Sequence, residues 1–171
     1  MMTGGQSTYP LLISLVNISM DYRNKVTTDS YLLLALLPIP KFIHSSKKVR
    51  GMLHARHYHQ CLDIVLQPLK SAAQFGVMLS DPLGNVRWCF TSLMSFIVDM
   101  PESQLISCVG AKASPVTIAN YKQCGDAFQH PPHTGEMTLD TINKLNANPE
   151  ALGSLEKYEK LAKQYRLNGV Q

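Results

Sequence analysis

The chain has 171 residues, 45% of them hydrophobic and 16% charged, which is enough apolar material for one globular core and too little charge for a wholly disordered chain. Its 16 Lys and Arg against 12 Asp and Glu leave a net charge of +4, a surplus that permits contact with nucleic acid without requiring it. Cys61, Cys89, Cys108 and Cys124 are widely spaced and form no C-x-x-C pair, so reduced thiols in the nucleus or cytoplasm are expected rather than a disulfide framework.

Tyr9 to Ile18 (YPLLISLVNI) and Tyr31 to Ile39 (YLLLALLPI) are short apolar runs between turn-forming residues, the pattern of strands buried on both faces. Pro38 and Pro40 lack the N–H a ladder needs, so the second strand is predicted to end near Leu37. Each run is shorter than the roughly 20 residues of a membrane-spanning helix, and Asp21, Arg23 and Lys25 lie between them. No basic segment followed by an apolar run opens the chain, so neither secretion nor a membrane is expected.

From about Val49 to Ala73 the period changes. Met52, Ala55, Tyr58, Leu62, Val65, Leu69 and Ala72 recur every three or four positions and predict an amphipathic helix. Lys47, Lys48, Arg50 and Arg56 gather in its N-terminal half, where the helix dipole prefers acids. They are either a solvated basic end or a set of phosphate contacts.

Gly76 to Leu79, the turn Ser80 to Asn85, and Val86 to Val98 predict a hairpin or meander, with Asp99 at the end of its longest strand. Gly110 to Gly135, rich in Gly, Pro, Ser and His, reads as loop with a helical turn at Val116 to Gln123. A short helix is predicted from Thr138 to Ala147. Asn148-Pro149-Glu150 supplies a cap, an N1 proline and a first-turn acid for another, ending near Arg166 before the Asn168-Gly169 stop. Leu155, Tyr158, Ala162 and Tyr165 form its apolar stripe, with Glu156/Lys160 and Glu159/Lys163 as i,i+4 pairs on the wet side. The order of elements predicts an α/β or α+β domain.

Two groupings have metal-ligand chemistry. Cys108, Cys124, His130 and His133 carry thiolates and imidazoles, but their spacing fits no standard zinc finger, and buried or half-buried thiols are the simpler expectation. On the long helix His54 and His57 are i,i+3 and His57 and Cys61 are i,i+4, spacings that allow a metal clip but bring no carboxylate; His59 reads as structural. Ser92, Ser95 and Cys89 have no Gly-x-Ser-x-Gly elbow or neighbouring base. Neither a Gly-x-Gly-x-x-Gly nor a Walker loop occurs, so no nucleotide cofactor is implied.

Taken in order, YPLLISLVNI, LLALLPIPK, HYHQCLDIVLQPLK, DPLGNVRWCFTSLMSFIVDMPESQLISCV, GAKASPVTIANYKQCGDAFQHPPHTGEMTL and EKLAKQYRLNGV resemble one stretch of the Plavaka family of DNA transposases, related to the Kyakuja–Dileera–Zisupton elements. The likeness runs from about residue 8 to residue 170. It implies a partial ribonuclease H-like core at residues 9–110, a mixed sheet with flanking helices, then a loop-rich connection at 111–137 and a helical segment at 138–171. Residues 1–8 read as a non-native or disordered start.

The resemblance also implies metal-assisted DNA cleavage and strand transfer with Mg²⁺ or Mn²⁺. Two such ions about 4 Å apart need carboxylates converging from several strands. In the family the first acid lies on a strand upstream of the segment matching Tyr9 to Ile18, but no Asp or Glu precedes Asp21 here. Ile97 to Glu102 resembles the family's Asp-Tyr-Pro-Glu stretch with Met100 in place of the tyrosine, which makes Asp99 the candidate metal ligand and catalytic acid and Glu102 its companion. The family chain continues past the segment matching Arg166 to Val170, whereas this one stops at Gln171.

The expectation is a truncated transposase chain, inactive alone. A non-catalytic module binding DNA or a partner through Lys47, Lys48, Arg50 and Arg56 is the alternative. A third expectation is a truncated product that does not fold stably, with exposed sheet edges open to self-association.

Overall fold

A computed structural model describes residues 7–123, 125–149 and 153–168. The chain divides into two compact units, Met1–Phe96 and Ile97–Gln171. The architecture is mixed α/β, with two separate two-stranded antiparallel sheets. Among the described residues no helix is long and apolar enough to cross a membrane.

In the first unit, β1 (Thr8–Ser14) and β2 (Tyr31–Pro38) pair antiparallel from Thr8↔Pro38 to Ser14↔Tyr31. The register shifts between Leu11 and Leu12, whose partners are Ala35 and Leu33, so Leu34 is the extra residue of a bulge. Pro10 is tolerated because each strand of a two-stranded ribbon is an edge with one side free of ladder bonds. The strands were expected to be buried on both faces; instead Leu12, Leu32 and Leu33 are each more than half exposed, and Leu37 is the buried residue of the pair. The reason is topological: sheet burial on both faces needs covering layers, and this ribbon packs chiefly within itself, with a small patch against the long helix.

Between the strands lie α1 (Met20–Arg23) and a 3₁₀ turn at Val26–Thr28, closed by the Thr28 hydroxyl donating to the Tyr22 and Lys25 carbonyls, each at 2.7 Å. The helix α2 (Lys47–Phe75) has 29 residues and includes the whole predicted segment. Its predicted stripe is correct in direction: Ala55 and Leu62 are buried, and Met52, Tyr58, Val65, Leu69 and Ala72 are half-buried. Pro68 lies inside it and has no N–H to offer the Ile64 carbonyl. Gly76 then leaves the helix at φ +73, a conformation that favours glycine.

The hairpin of β3 (Val77–Ser80) and β4 (Val86–Cys89) pairs Val77↔Cys89 through Ser80↔Val86. Asp81 organises its turn. The carboxylate accepts from the Leu83 and Asn85 N–H groups and the Asn85 side-chain amide, all at 2.9 Å, and Arg87 approaches at 3.3 Å. Gly84, at φ +83, supplies the left-handed residue the turn requires. The long strand predicted from Val86 to Val98 is shorter than expected. Regular pairing ends at Cys89, because β4 finds no partner beyond the four residues of β3.

The second unit begins with α3 (Met100–Ile106). The segment expected to be a loop is instead held by isolated antiparallel bridges, Ala113↔Asn120 and Thr117↔Pro132, and a 3₁₀ turn at Tyr121–Gln123. Gln104 Nε2 ties it to α3 by donating to the Ala111 and Ala113 carbonyls. Helix α4 (Gly135–Asn146) starts three residues earlier than Thr138, because Thr134 caps it by accepting from Met137 N–H.

Helix α5 (Leu155–Gln164) is opened by Ser154, whose hydroxyl accepts from Lys157 N–H at 3.2 Å. Pro149 is helical, as the predicted cap at Asn148 implies, but Gly153 then forms a turn and Ser154 caps α5 separately, so the predicted single helix to Arg166 is interrupted. Glu150, third member of that predicted signal, and Gly169 of the predicted stop lie outside the described residues. Leu145, Tyr158, Ala162 and Leu167 form the core of this unit, with Ile142 and Leu161 packed on it. Of the predicted stripe, Tyr158 and Ala162 are in this core, whereas Tyr165 is 53% exposed. A bridge Val109↔Leu167, with Gly110 N–H donating to Arg166 O at 2.8 Å and Asn168 N–H to Cys108 O at 2.9 Å, fastens the end of α5 to the middle of the unit.

Candidate functional site

Asp99 is not at a strand end. It is the N-cap of α3, in extended conformation, and its Oδ1 accepts from Glu102 N–H at 2.9 Å. The sequence builds this locally: Asp at the cap, Pro101 in the first turn where no N–H is needed, and Glu102 at the third position, where its charge faces the positive end of the helix. Asp99 is exposed and Glu102 half-buried. One oxygen of the best metal-ligand candidate is thus engaged by backbone.

A two-metal site needs more than this pair. Among the described residues no three His, Cys, Asp or Glu side chains come together closely enough to hold an ion. Among the described residues the side chains in place do not fit the Mg²⁺ or Mn²⁺ centre that the resemblance implies.

The basic segment spans the first turns of α2. Lys47, Lys48 and Arg56 are exposed, and Arg50 is half-buried. Arg50 Nη1 donates to the carbonyls of His44 and, at 3.3 Å, Ser45, so its guanidinium braces the loop that enters the helix. That loop lacks a side-chain cap on α2 and acquires its order from Arg50 and from Ser46 N–H donating to His44 Nδ1 at 3.0 Å. At about 100° per residue, Lys47 and Arg50 fall on one side of the helix and Lys48 and Arg56 on another. No single face gathers all four.

Further along α2, His57 Nε2 and Cys61 Sγ lie 3.5 Å apart, as the i,i+4 spacing predicts. His54 and His57 both meet the edge of Phe42, with ring centroids at 5.0 and 6.2 Å, and His59 packs against Tyr58. His54 and His57 therefore hold the preceding loop by ring contacts.

The other thiol–imidazole group disperses into local bonds. His130 Nε2 lies 3.0 Å from Asp126 Oδ2, and His133 Nε2 lies 3.1 Å from the Thr138 hydroxyl. Cys108 adopts φ +59 beside the bridge at Val109. Cys124 lies outside the described residues.

One feature has no counterpart among the sequence motifs: a cavity of about 190 Å³ in the second unit, walled by the bridged segment 113–118, the start of α4 and the end of α5. Its signal is diluted over three distant stretches, and only the density of Ser, Thr and His between residues 114 and 141 hints at a polar wall.

By architecture this is a mixed α/β protein in which Asp99 caps a helix and the cations at the start of α2 are spread over different sides of it. Its lineage is narrower: a family model described as Plavaka transposase matches residues 1–171, and the chain belongs to that family. Neither a curated protein nor a solved structure matches it significantly. Membership in a transposase family makes DNA the general class of partner.

Proposed function

We propose that this chain serves DNA transposition as a DNA-contacting scaffold descended from a ribonuclease H-like transposase core, and that it neither cleaves nor joins DNA by itself. The family match over the whole chain carries this reading. The engagement of Asp99 as a helix cap supports the second half, because the bond from Glu102 N–H occupies one of the carboxylate's acceptor positions and ties it to the helix start. The test is strand transfer by the purified chain on a duplex transposon end with Mg²⁺ or Mn²⁺. No product is expected, and product formation that disappears in Asp99→Ala would overturn the reading.

A second reading makes the start of α2 the DNA contact. Lys47 and Lys48 are exposed in the first turn of α2, where they oppose the helix dipole, and Arg56 is exposed about two turns further on. Binding of duplex DNA by this segment must weaken steeply as salt rises. Absence of binding at about 50 mM salt removes this reading.

A further inference from the structure

We propose that the cavity of the second unit is a binding site for a phosphate group. It is lined by Ser114, Thr117, His133, Thr138 and Arg166 together with apolar side chains, and no Asp or Glu is among its lining residues. The one formally charged side chain in the wall is therefore a cation.

The hydrogen bonding of the wall identifies what is missing. Ser114 Oγ accepts from Val116 N–H at 3.2 Å and from Thr117 N–H at 3.0 Å. Thr117 Oγ1 accepts from Ala119 N–H at 3.3 Å. Each hydroxyl accepts from backbone, two bonds at Ser114 and one at Thr117, and keeps its own O–H to donate. Neither finds an acceptor among the described residues. Arg166 Nη2 is buried with no hydrogen-bond partner there either. Two half-buried hydroxyls and one buried guanidinium nitrogen, with no acid in the wall, suit a compact, acceptor-rich anion, and the unpaired Arg166 Nη2 costs stability until an acceptor arrives.

The backbone adds a second observation. Arg166 holds φ +66, a conformation that costs a non-glycine residue about 1 kcal/mol or more. It is fixed by neighbours on both sides: Gly110 N–H donates to Arg166 O, and Leu167 bridges Val109. His133, whose Nε2 lies beside the Thr138 hydroxyl, closes the wall at the start of α4, where the helix dipole also favours an anion. Phosphate chemistry reaches such a site either as the free ion or as a DNA backbone group.

The experiment titrates inorganic phosphate into the full chain by calorimetry and follows amide shifts of Thr117, Ala119 and Arg166. Saturable binding that moves those amides is expected, with affinity about 10-fold or more weaker in Arg166→Gly. Glycine removes the guanidinium and suits the positive φ, so the variant keeps its backbone. Displacement of phosphate by a short duplex assigns the site to the DNA backbone, and indifference to duplex assigns it to the free ion. No saturable binding, binding that leaves those amides unmoved, or an affinity unchanged in Arg166→Gly overturns the proposal.

Discussion

The indole of Trp88 lies over Gly76, where the chain leaves α2 and enters the hairpin, and a Cβ on Gly76 would overlap the indole ring. Two constraints meet at this glycine: the positive φ and the space the ring occupies. Gly76→Ala is expected to cost about 1–2 kcal/mol from the backbone alone, with more if the ring cannot swing away. Trp88 is the only tryptophan in the chain, so its emission reports on this site without labelling. A wavelength shift together with a lowered melting temperature is the expected outcome, and an unchanged spectrum would show that the ring does not sit there.

Acid should loosen the hairpin turn. The Asn85 side-chain amide, then the Asn85 N–H, hold the Asp81 carboxyl below its ordinary value against the opposing effect of desolvation, with a lesser contribution from the Leu83 N–H. The folded state therefore binds this proton less readily than the unfolded one. Its contribution is complete above the ordinary carboxylate range and is lost as pH falls through the depressed value. Protection of the Leu83 and Asn85 amides, measured relative to their intrinsic exchange rates, should fall in acid, and Asp81→Ala, which has no acceptor to offer, should show low protection already at neutral pH with little further acid dependence.

Asp99 can be tested as a cap separately from any catalytic role. Asp99→Ala should lower stability by about 1 kcal/mol, whereas Asp99→Ser and Asp99→Asn, which also accept from Glu102 N–H, should recover most of it. A thermal melt of the three variants decides. Equal loss in all of them would mean that the negative charge, not the cap bond, stabilises α3.

The packing of α4 against α5 depends on Leu145, which is 2% exposed, and Ala162, which is 0% exposed. Leu145→Ala should cost about 2–5 kcal/mol through reduced burial and the cavity it leaves. Ala162→Leu has no room and should cost about 1–3 kcal/mol by overpacking. Denaturant unfolding followed by circular dichroism measures both.

If the start of α2 binds DNA, its two sides should differ. Replacing Lys48 and Arg56 together by Ala should lower the slope of log affinity against log salt by about 2, because each phosphate that is no longer neutralised removes about one unit. Arg50→Ala should instead disturb the entry loop, because its guanidinium is bound to the His44 and Ser45 carbonyls. Duplex binding measured at several salt concentrations separates the two effects.

Periodicity makes α2 legible, and its predicted stripe of seven residues coincides with the side the fold covers. The turn at Asp81 is equally readable, because Asp-Pro-Leu-Gly-Asn concentrates its chemistry in consecutive residues. Burial of β1 and β2 is not. A Leu-rich run looks the same whether or not another layer covers it, and the covering is decided by distant parts of the fold. Ser154 is hard to pick out as a cap because Asn148-Pro149 is the louder signal six positions earlier. Reading Val86 to Val98 as extended makes Asp99 a strand end, yet Asp-Met-Pro-Glu also spells a helix start, and α3 follows that local rule. The cavity cannot be read from the sequence at all, since its walls come from three segments that only tertiary packing assembles.

The bridge between Val109 and Leu167 has a consequence for biosynthesis. A ribosome releases residues in order, and a local helix such as α4 can form as it emerges. The pairing of Cys108–Gly110 with Arg166–Asn168 must wait until nearly all of the second unit has been translated. Until then the middle segment lacks its closing partner. Folding of this unit is therefore late, a step taken once rather than built turn by turn.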